Sequence, residues 1–340
     1  MESQALPFPQ PKTSSVAHCV STSELSRLLG FVRCPQCRAG RLRVNATFPE
    51  LICQTCYTNY PLANGRPVLL RPDNGVFRRE NYSELEGKKS HAPARRWEHI
   101  IPSPSINLAR EKALARVGAN LALLPASRVL VVGGGGQRES LDEQLHASSV
   151  LDVVYSDIDV NADVDLFCDA HDLPFFDSVF DAVITTAVLE HVLYPERAAS
   201  EIHRVLKLGG ILYSELPFMQ QVHEGAYDFT RYTLSGHRRL FNGFSEIESG
   251  LVAGPGTALI WAIENLVLAF SKRRWSRSAG KAAVRLMFFW IKYLDRFLVK
   301  RPQAMDGASC TYFLGGKIDG QVADVDIIAR YIGAKHVQHN

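Results

Sequence analysis

Four of the seven cysteines fall into two Cys-x-x-Cys pairs, Cys34-Pro-Gln-Cys37 and Cys53-Gln-Thr-Cys56, with the fifteen residues 38–52 between them. Each pair bends into a tight knuckle with two sulfurs on one side, and two knuckles complete a tetrahedron, so the spacing fits a four-thiolate zinc centre. Without a metal, roughly 40 residues bury too little apolar surface to fold alone. Four buried free cysteines, or a rubredoxin-like iron centre of the same geometry, are the alternative readings. Protein fills all four positions, so Cys34, Cys37, Cys53 and Cys56 read as ligands of a structural metal with no position open for catalysis. The odd cysteine total also argues for a reducing, cytoplasmic compartment and against a disulfide framework.

A chain of 340 residues suggests two folding units at about 150 residues per domain. Apolar residues at 46% and charged residues at 21% exclude wholesale disorder. A formal net charge of +3 is too mild to announce a nucleic-acid binder. No charge-free apolar run reaches membrane-spanning length, and Met1 to Ser26 lacks an apolar core, reading as a polar arm and not as a signal peptide. The expected organisation is a flexible arm over 1–30 with a short helix near Ser23–Leu29, a cysteine ribbon over 31–71, a charged linker over 72–105 and a larger domain over 106–340. The spacing of Ile106, Leu108, Ala113, Leu114, Val117 and Leu121 predicts a helix over 106–124. Strand-like runs at Val129–Val132, Leu151–Tyr155, Phe180–Ile184 and Gly210–Glu215 then alternate with helical Leu141–Ala147 and Pro195–Val205. That alternation implies an α/β fold with a parallel sheet and crossover helices. Helical Ala258–Phe270 and Ala282–Val299 come before a last strand at Thr311–Leu314, so 257–301 reads as an insertion.

Val129-Leu-Val-Val-Gly-Gly-Gly-Gly136 is a strand running into a glycine turn, where the backbone can approach a ligand closely. An acid, Asp157, ends the next strand 24 residues after Gly133, placed to take both hydroxyls of a ribose; Asp159 is a second candidate. Cys168-Asp-Ala-His-Asp-Leu-Pro-Phe175, Phe180-Asp-Ala-Val-Ile184, Ala187-Val-Leu-Glu-His-Val192 and Arg204-Val-Leu-Lys-Leu-Gly-Gly-Ile-Leu212 follow in that order. Together, over about residues 106–245, they resemble the class I S-adenosylmethionine-dependent methyltransferases, and within them the type-11 family. The resemblance implies a Rossmann-like, doubly wound seven-stranded sheet. Gly133 and Gly135 would face the methionine part of the cofactor, Asp157 the ribose, and Asp169 with Ala170 the adenine edge. Leu189 to His191 would lie beside the methyl donor. The chain departs from the family at Val131, where an acid is usual, and at Gln137, where a third glycine is usual. The stretch Cys53 to Leu70 resembles a zinc-ribbon family that binds and supports methyltransferases of the translation apparatus.

Methyl transfer needs an acceptor aligned on the sulfonium carbon and, for a hydroxyl, removal of a proton. The block Pro217-Phe-Met-Gln-Gln-Val-His-Glu-Gly-Ala-Tyr-Asp-Phe-Thr-Arg-Tyr-Thr233 resembles one in type-11 enzymes of glycan and cell-surface polysaccharide synthesis. His223 and His191 both titrate near neutrality when unperturbed and are the candidate bases. Asp228 and Arg231 read equally as substrate contacts and as an ion pair fixing the loop. Between 272 and 301 there are ten cations and a single acid, Asp295, so the segment carries +9 and leaves −6 on the rest of the chain. With Trp261, Trp290 and several Phe and Leu residues, it suits the interface of an anionic inner-membrane surface; a lid packed on the core is the plain alternative. The expectation is a cytoplasmic methyltransferase acting on a small-molecule or lipid-linked glycan acceptor, by O-methylation, with S-adenosylmethionine and a structural Zn2+. An RNA or translation-factor methyltransferase and a non-catalytic cofactor-binding scaffold are the rivals.

Overall fold

The computed structural model describes residues 22–45, 47–83, 101–124, 126–145 and 151–334. The expected arm before residue 22, linker residues 84–100 and the last two residues of the helix Leu141–Ala147 lie outside them. Helix α1 (Thr22–Leu29) leads into a ribbon of four antiparallel strands in sequence order: β1 (Leu42–Val44), β2 (Glu50–Cys53), β3 (Asn59–Ala63) and β4 (Arg66–Pro67). Asn64 and Gly65 join β3 to β4, both with positive φ (50° and 79°), the geometry that selects Asn-Gly for a two-residue hairpin.

A short helix α2 (Glu80–Ser83) ends the described part of the linker, and α3 (Arg110–Leu121) opens the large domain. The expected helix over 106–124 is shorter because Asn107 turns the chain, its Oδ1 accepting the N–H groups of Ala109 and Arg110 at 3.2 and 2.9 Å. Then come β5 (Ser127–Val132), α4 (Arg138–Leu145), β6 (Leu151–Asp157), β7 (Leu166–Phe167), β8 (Phe180–Thr186), α5 (Pro195–Val205), β9 (Leu206–Pro217), α6 (Leu234–Leu240) and β10 (Phe244–Ala253). Helices α7 (Pro255–Ala269), α8 (Arg274–Phe288) and α9 (Asp295–Leu298) precede the last strand β11 (Cys310–Lys317), and α10 (Asp324–Ala329) follows it. The seven strands are ordered β10-β11-β9-β8-β5-β6-β7, and neighbours run parallel except where β11 is a partner. This is the Rossmann-like sheet with an insertion before its last strand. All seven residues of central β8 are buried, as a parallel strand covered on both faces requires.

Two elements of the sheet and its insertion differ from the sequence expectation. Strand β10 was not singled out, since Phe-Ser-Glu-Ile-Glu-Ser opens it with acids and only its second half is fully buried; it is an edge strand, where charge is tolerated. The second insertion helix starts at Arg274 and breaks near Phe289, where a 3-10 stretch, Phe289–Leu294, leads into α9. The break brings Asp295 back to the start of α7. Its fully buried carboxylate accepts the N–H groups of Gly254, Gly256 and Thr257 at 2.8–3.0 Å and the Thr257 hydroxyl at 2.7 Å, so a remote acid caps α7.

The ribbon is fused to the sheet. Val68 pairs in parallel with Phe167 of β7, and the Leu69 N–H donates to the Phe167 carbonyl at 2.8 Å. Val32 pairs with Phe175, and the Phe31, Phe175 and Phe180 rings cluster with centroids 4.9–6.2 Å apart. A buried ion pair, Arg66 to Asp163 at 2.6 Å, closes the seam.

In the other half of the core, the fully buried His237 of α6 bridges the hydroxyls of Thr311 (3.1 Å) and Ser214 (3.0 Å). Burial, reinforced by Arg238, lowers its pKa from about 6.5 to about 3. The folded ring stays neutral while the unfolded one takes a proton below about 6.5. Stability from this residue is therefore complete above that pH and falls away toward pH 3, by up to about 1.4 kcal/mol per unit. Urea unfolding should show the stability gap between wild type and His237→Gln narrowing from pH 7 to pH 5; a constant gap would rule the imidazole out as the source.

Candidate functional site

The carboxyl ends of β5, β6, β7 and β8 open onto one cavity of about 850 Å3, within the range of small-molecule sites. It lies where the chain leaves β5 in both directions across the sheet, the topological switch point of such folds. Gly133 stands at its floor with φ +71°, and a Cβ there would meet Val188 Cγ2 at 2.2 Å, so the turn demands glycine twice over. Asp157 ends β6 on the cavity wall. Its Oδ1 accepts the N–H groups of Ile158 (2.7 Å) and Asp159 (3.0 Å), and its Oδ2 that of Gly135 (3.2 Å). Burial pushes its pKa up, against those three donors.

Asp169 lines the next part of the wall with Ala170. Its Oδ1 accepts from the His171 backbone (2.9 Å) and ring (2.6 Å), and its Oδ2 from the Asn74 amide at 2.8 Å. Burial alone would raise its pKa, but these donors outweigh it and hold the carboxyl below its usual range. Asp159, Asp172 and Glu224 also line the cavity. The cavity cations Arg71 and Arg197 are paired with Asp73 and Asp172, so the unneutralised character of the space is acidic.

Of the residues singled out from sequence, Gly133, Asp157, Asp169, Ala170, His191 and His223 line this cavity. Gly135 sits just behind, holding Asp157. Leu189 is fully buried in the core beneath. Asp228 and Arg231 stand behind His223: the His223 N–H donates to Asp228 Oδ2 at 2.9 Å, and Arg231 pairs with Asp228 while donating to the Gln220 carbonyl at 2.7 Å. Asp228 is 1% and Arg231 22% exposed as side chains, and neither is among the residues that line the cavity. Gln137, in place of a third glycine, accepts from Arg110 (2.9 Å) and Thr186 (3.0 Å). Arg110 is in turn held bidentately by Glu215 at 2.9 and 2.7 Å.

One wall was not expected from the sequence, and Glu190 entered there only within the run Leu189 to His191. Arg71, at the end of the expected ribbon, and residues 73–77, in the expected linker, form that wall, and the Phe77 ring stacks on Tyr227 with centroids 6.3 Å apart. Glu190 is an acid inside the apolar run Ala187 to Val192, a signal that was available. It is fully buried, and burial pushes its pKa up to about 8. Beside it His191 and His223 meet with their Nε2 atoms 3.2 Å apart.

In the ribbon the four cysteine sulfurs lie within 4.8 Å of one another, with Cys34 to Cys56 at 3.6 Å and Cys37 to Cys53 at 3.7 Å. A tetrahedral ion with Zn–S bonds of about 2.3 Å has an edge of about 3.8 Å, so the set fits zinc and is far from disulfide distance. Backbone N–H groups of Gly40, Thr55 and Cys56 point at Cys37 and Cys53 sulfurs from 3.3–3.4 Å, as they do around thiolates.

Comparison with known proteins agrees with this partition. The Methyltransf_11 model, a methyltransferase domain, matches residues 131–214. A ubiquinone/menaquinone biosynthesis C-methyltransferase UbiE of Neisseria gonorrhoeae is 40% identical over 67 residues, 19% of this chain and 27% of that protein. The chain thus spans about a quarter of the length of the UbiE relatives it matches. A UPF0434 protein of Aliivibrio fischeri is 38% identical over 66 residues, 19% of this chain but 95% of that protein. Among solved structures, the complex of the Haloferax volcanii Trm112 methyltransferase activator with a methyltransferase aligns at 19% identity and TM-score 0.37, covering 63% of this chain and 96% of that one. Haemonchus contortus phosphoethanolamine N-methyltransferase 2 aligns at 17% identity and TM-score 0.41, covering 63% and 54%.

The sulfur geometry carries a prediction. Purified chain should contain one equivalent of zinc that a strong chelator removes, and Cys53→Ala should lack it. Loss of the ion should expose the β1–β4 hairpins to protease while the large sheet stays protected; an intact ribbon after complete metal removal would refute a structural role.

Proposed function

We infer the function of a chain that belongs to the UPF0434 family through one short stretch and to the Methyltransf_11 methyltransferase domains through another: it is an S-adenosylmethionine-dependent methyltransferase whose ribbon is built into the catalytic body. The observation that carries this is Asp157, held by three backbone donors at the end of β6 opposite the positive-φ turn at Gly133. A carboxylate so fixed takes the two ribose hydroxyls, and Asp169 with Ala170 takes the adenine. The acidic lining suits a ligand bearing a sulfonium and an ammonium. When bound, the cofactor supplies an electrophilic methyl group; the chain's own residues orient it and exclude water.

The acceptor enters on the side of His191 and His223, the other end of the same cavity. Its oxygen would take the methyl group that the bound cofactor supplies, and the hydroxyl proton would depart at the end of the cavity lined by His191 and His223. A cavity of about 850 Å3, at the upper part of the range of small-molecule sites, supports a small-molecule or glycan acceptor over a folded RNA.

The insertion supports delivery of that acceptor from a lipid surface. Phe270, Trp275, Leu286, Met287, Trp290 and Phe297 are all more than half exposed. Exposed Lys272, Arg273, Arg274, Lys281, Arg296 and Lys300 stand among them. Arg285 and Lys292 are instead spent internally, on Glu264 and the Ser103 carbonyl. Among the described residues no helix is long and apolar enough to cross a membrane. The face therefore reads as interfacial, with each cation near an anionic surface worth about 1 kcal/mol.

Calorimetry should show S-adenosylmethionine binding to the purified chain, weakened at least about tenfold, or about 1.4 kcal/mol, by Asp157→Asn. Absence of binding to folded wild type would end the enzyme reading and favour a scaffold. His223→Ala and His191→Ala should each lower methyl transfer to lipid extracts; turnover unchanged in both, or label appearing in RNA instead, would remove the acceptor assignment. Vesicles containing anionic lipid should float the chain at low salt and release it at high salt, and neutral vesicles should not; failure to float on anionic vesicles would leave the insertion as a lid.

A further inference from the structure

Glu190, His191 and His223 offer three ligand atoms within 4.8 Å of one another. The His191 Nδ1–H donates to the Tyr227 carbonyl at 2.8 Å. His223 Nδ1 faces only acceptors, the Gln221 carbonyl at 3.3 Å and the Asp228 carboxylate at 3.4 Å. Both protons are thereby placed on Nδ1, and the two bare Nε2 lone pairs face each other across 3.2 Å, with the rings 79° apart. Two lone pairs at that distance repel unless a cation sits between them. The separation matches the edge of about 3.3 Å expected for a tetrahedral ion with metal–nitrogen bonds of about 2.0–2.1 Å.

The third ligand is the decisive one. Glu190 is fully buried, and neither of its carboxylate oxygens has a hydrogen-bond partner. Oε1 is 3.7 Å from His191 Nε2, pointing at the same spot. A buried carboxylate with no partner costs several kcal/mol unless it is neutralised or ligates a metal. Its segment is locked in place: the Phe229 and Thr230 N–H groups donate to the Glu190 carbonyl at 2.8 and 3.3 Å, joining the turn after β8 to the loop bearing His223. Asp228, itself clamped by Arg231, stands behind the His223 ring as the carboxylate of a carboxylate–histidine–metal relay.

We propose that Glu190, His191 and His223 form a second metal centre, binding a divalent first-row transition ion separate from the ribbon's. Two imidazoles and a carboxylate favour such an ion over Mg2+ or Ca2+. Glu190 closes the back, and His191 and His223 line the cavity, so the open coordination position faces the acceptor side. On the methyltransferase reading, an acceptor hydroxyl filling that position would be acidified there; the metal site itself does not depend on that reading.

Full-length chain with its ribbon zinc in place is titrated with Co2+. A second equivalent should bind, with the visible spectrum of nitrogen and oxygen ligands and no thiolate charge-transfer band. Glu190→Gln and His223→Asn, each checked by circular dichroism and by retention of the ribbon zinc, should weaken that second equivalent beyond the roughly 10- to 100-fold that outer-shell changes produce. Arg231→Lys should weaken it less. Wild type binding only the ribbon's metal would overturn the proposal, with the imidazoles then sharing a proton beside a protonated Glu190. Second-site affinity unchanged from wild type in both Glu190→Gln and His223→Asn would overturn it too. If cobalt binds as expected and S-adenosylmethionine does not, the enzyme reading fails while the metal centre stands.

Discussion

The hydrogen bond from the Leu69 N–H to the Phe167 carbonyl decides what kind of molecule this is. It carries the ribbon's last segment onto the edge of the parallel sheet, so that residues 71–77 continue past β7 and wall the cavity. An open sheet edge is normally a hazard to be covered; here the cover is also part of the site. The amide of Asn74 reaches Asp169 only because the seam fixes the chain five residues earlier. The buried Arg66–Asp163 pair makes the seam costly to open, since parting it strands two buried charges. The four-sulfur cluster, whose last member Cys56 stands 15 residues before Arg71, is thus joined to the cavity through backbone.

Inside the cavity the charge arrangement offsets the acid that Val131 replaces. Gln137 turns its carbonyl oxygen to Arg110, and Arg110 is neutralised by Glu215, which also accepts from Tyr213 at 2.7 Å. That chain of bonds occupies the space behind the glycine turn and leaves no free cation there. Asp157, Asp159 and Glu224 line the cavity. On the proposed function, a cationic cofactor would be favoured by these acids even without a dedicated partner for its ammonium group, because acids within a partly desolvated wall act at lower effective dielectric than in water.

The sheet, the glycine turn and the two acids at strand ends were legible in the sequence because each rests on local rules: period, backbone freedom and position after a buried strand. The four cysteines were legible because spacing alone sets knuckle geometry. What escaped depends on distant pairing. The wall made by 71–77 exists only through the seam at Val68, and nothing in Arg71-Pro-Asp-Asn74 announces it. Asp295 looked like a lone acid in a basic segment, yet it caps α7 from about forty residues away. Asp228 and Arg231 were legible as a pair, and the pair stands behind His223. Glu190 was visible as an acid in an apolar run, but its lack of partners is a three-dimensional fact.

The insertion links the outer surface to the acceptor end. Helix α7 starts at the Asp295 cap, and nearly two turns later Trp261 lies against the His223 ring, centroids 6.4 Å apart, with its indole N–H held by the Ser105 hydroxyl at 2.9 Å. The same helix ends at exposed Phe270, next to the exposed cations of α8. From Trp261 to Phe270 the chain runs nine residues, about 14 Å at 1.5 Å per residue, between the imidazole pair and the proposed lipid-facing patch. On the proposed function, an acceptor with an apolar anchor and a polar head would suit that combination: an interfacial surface for the anchor and, less than one helix length away, a cavity for the head.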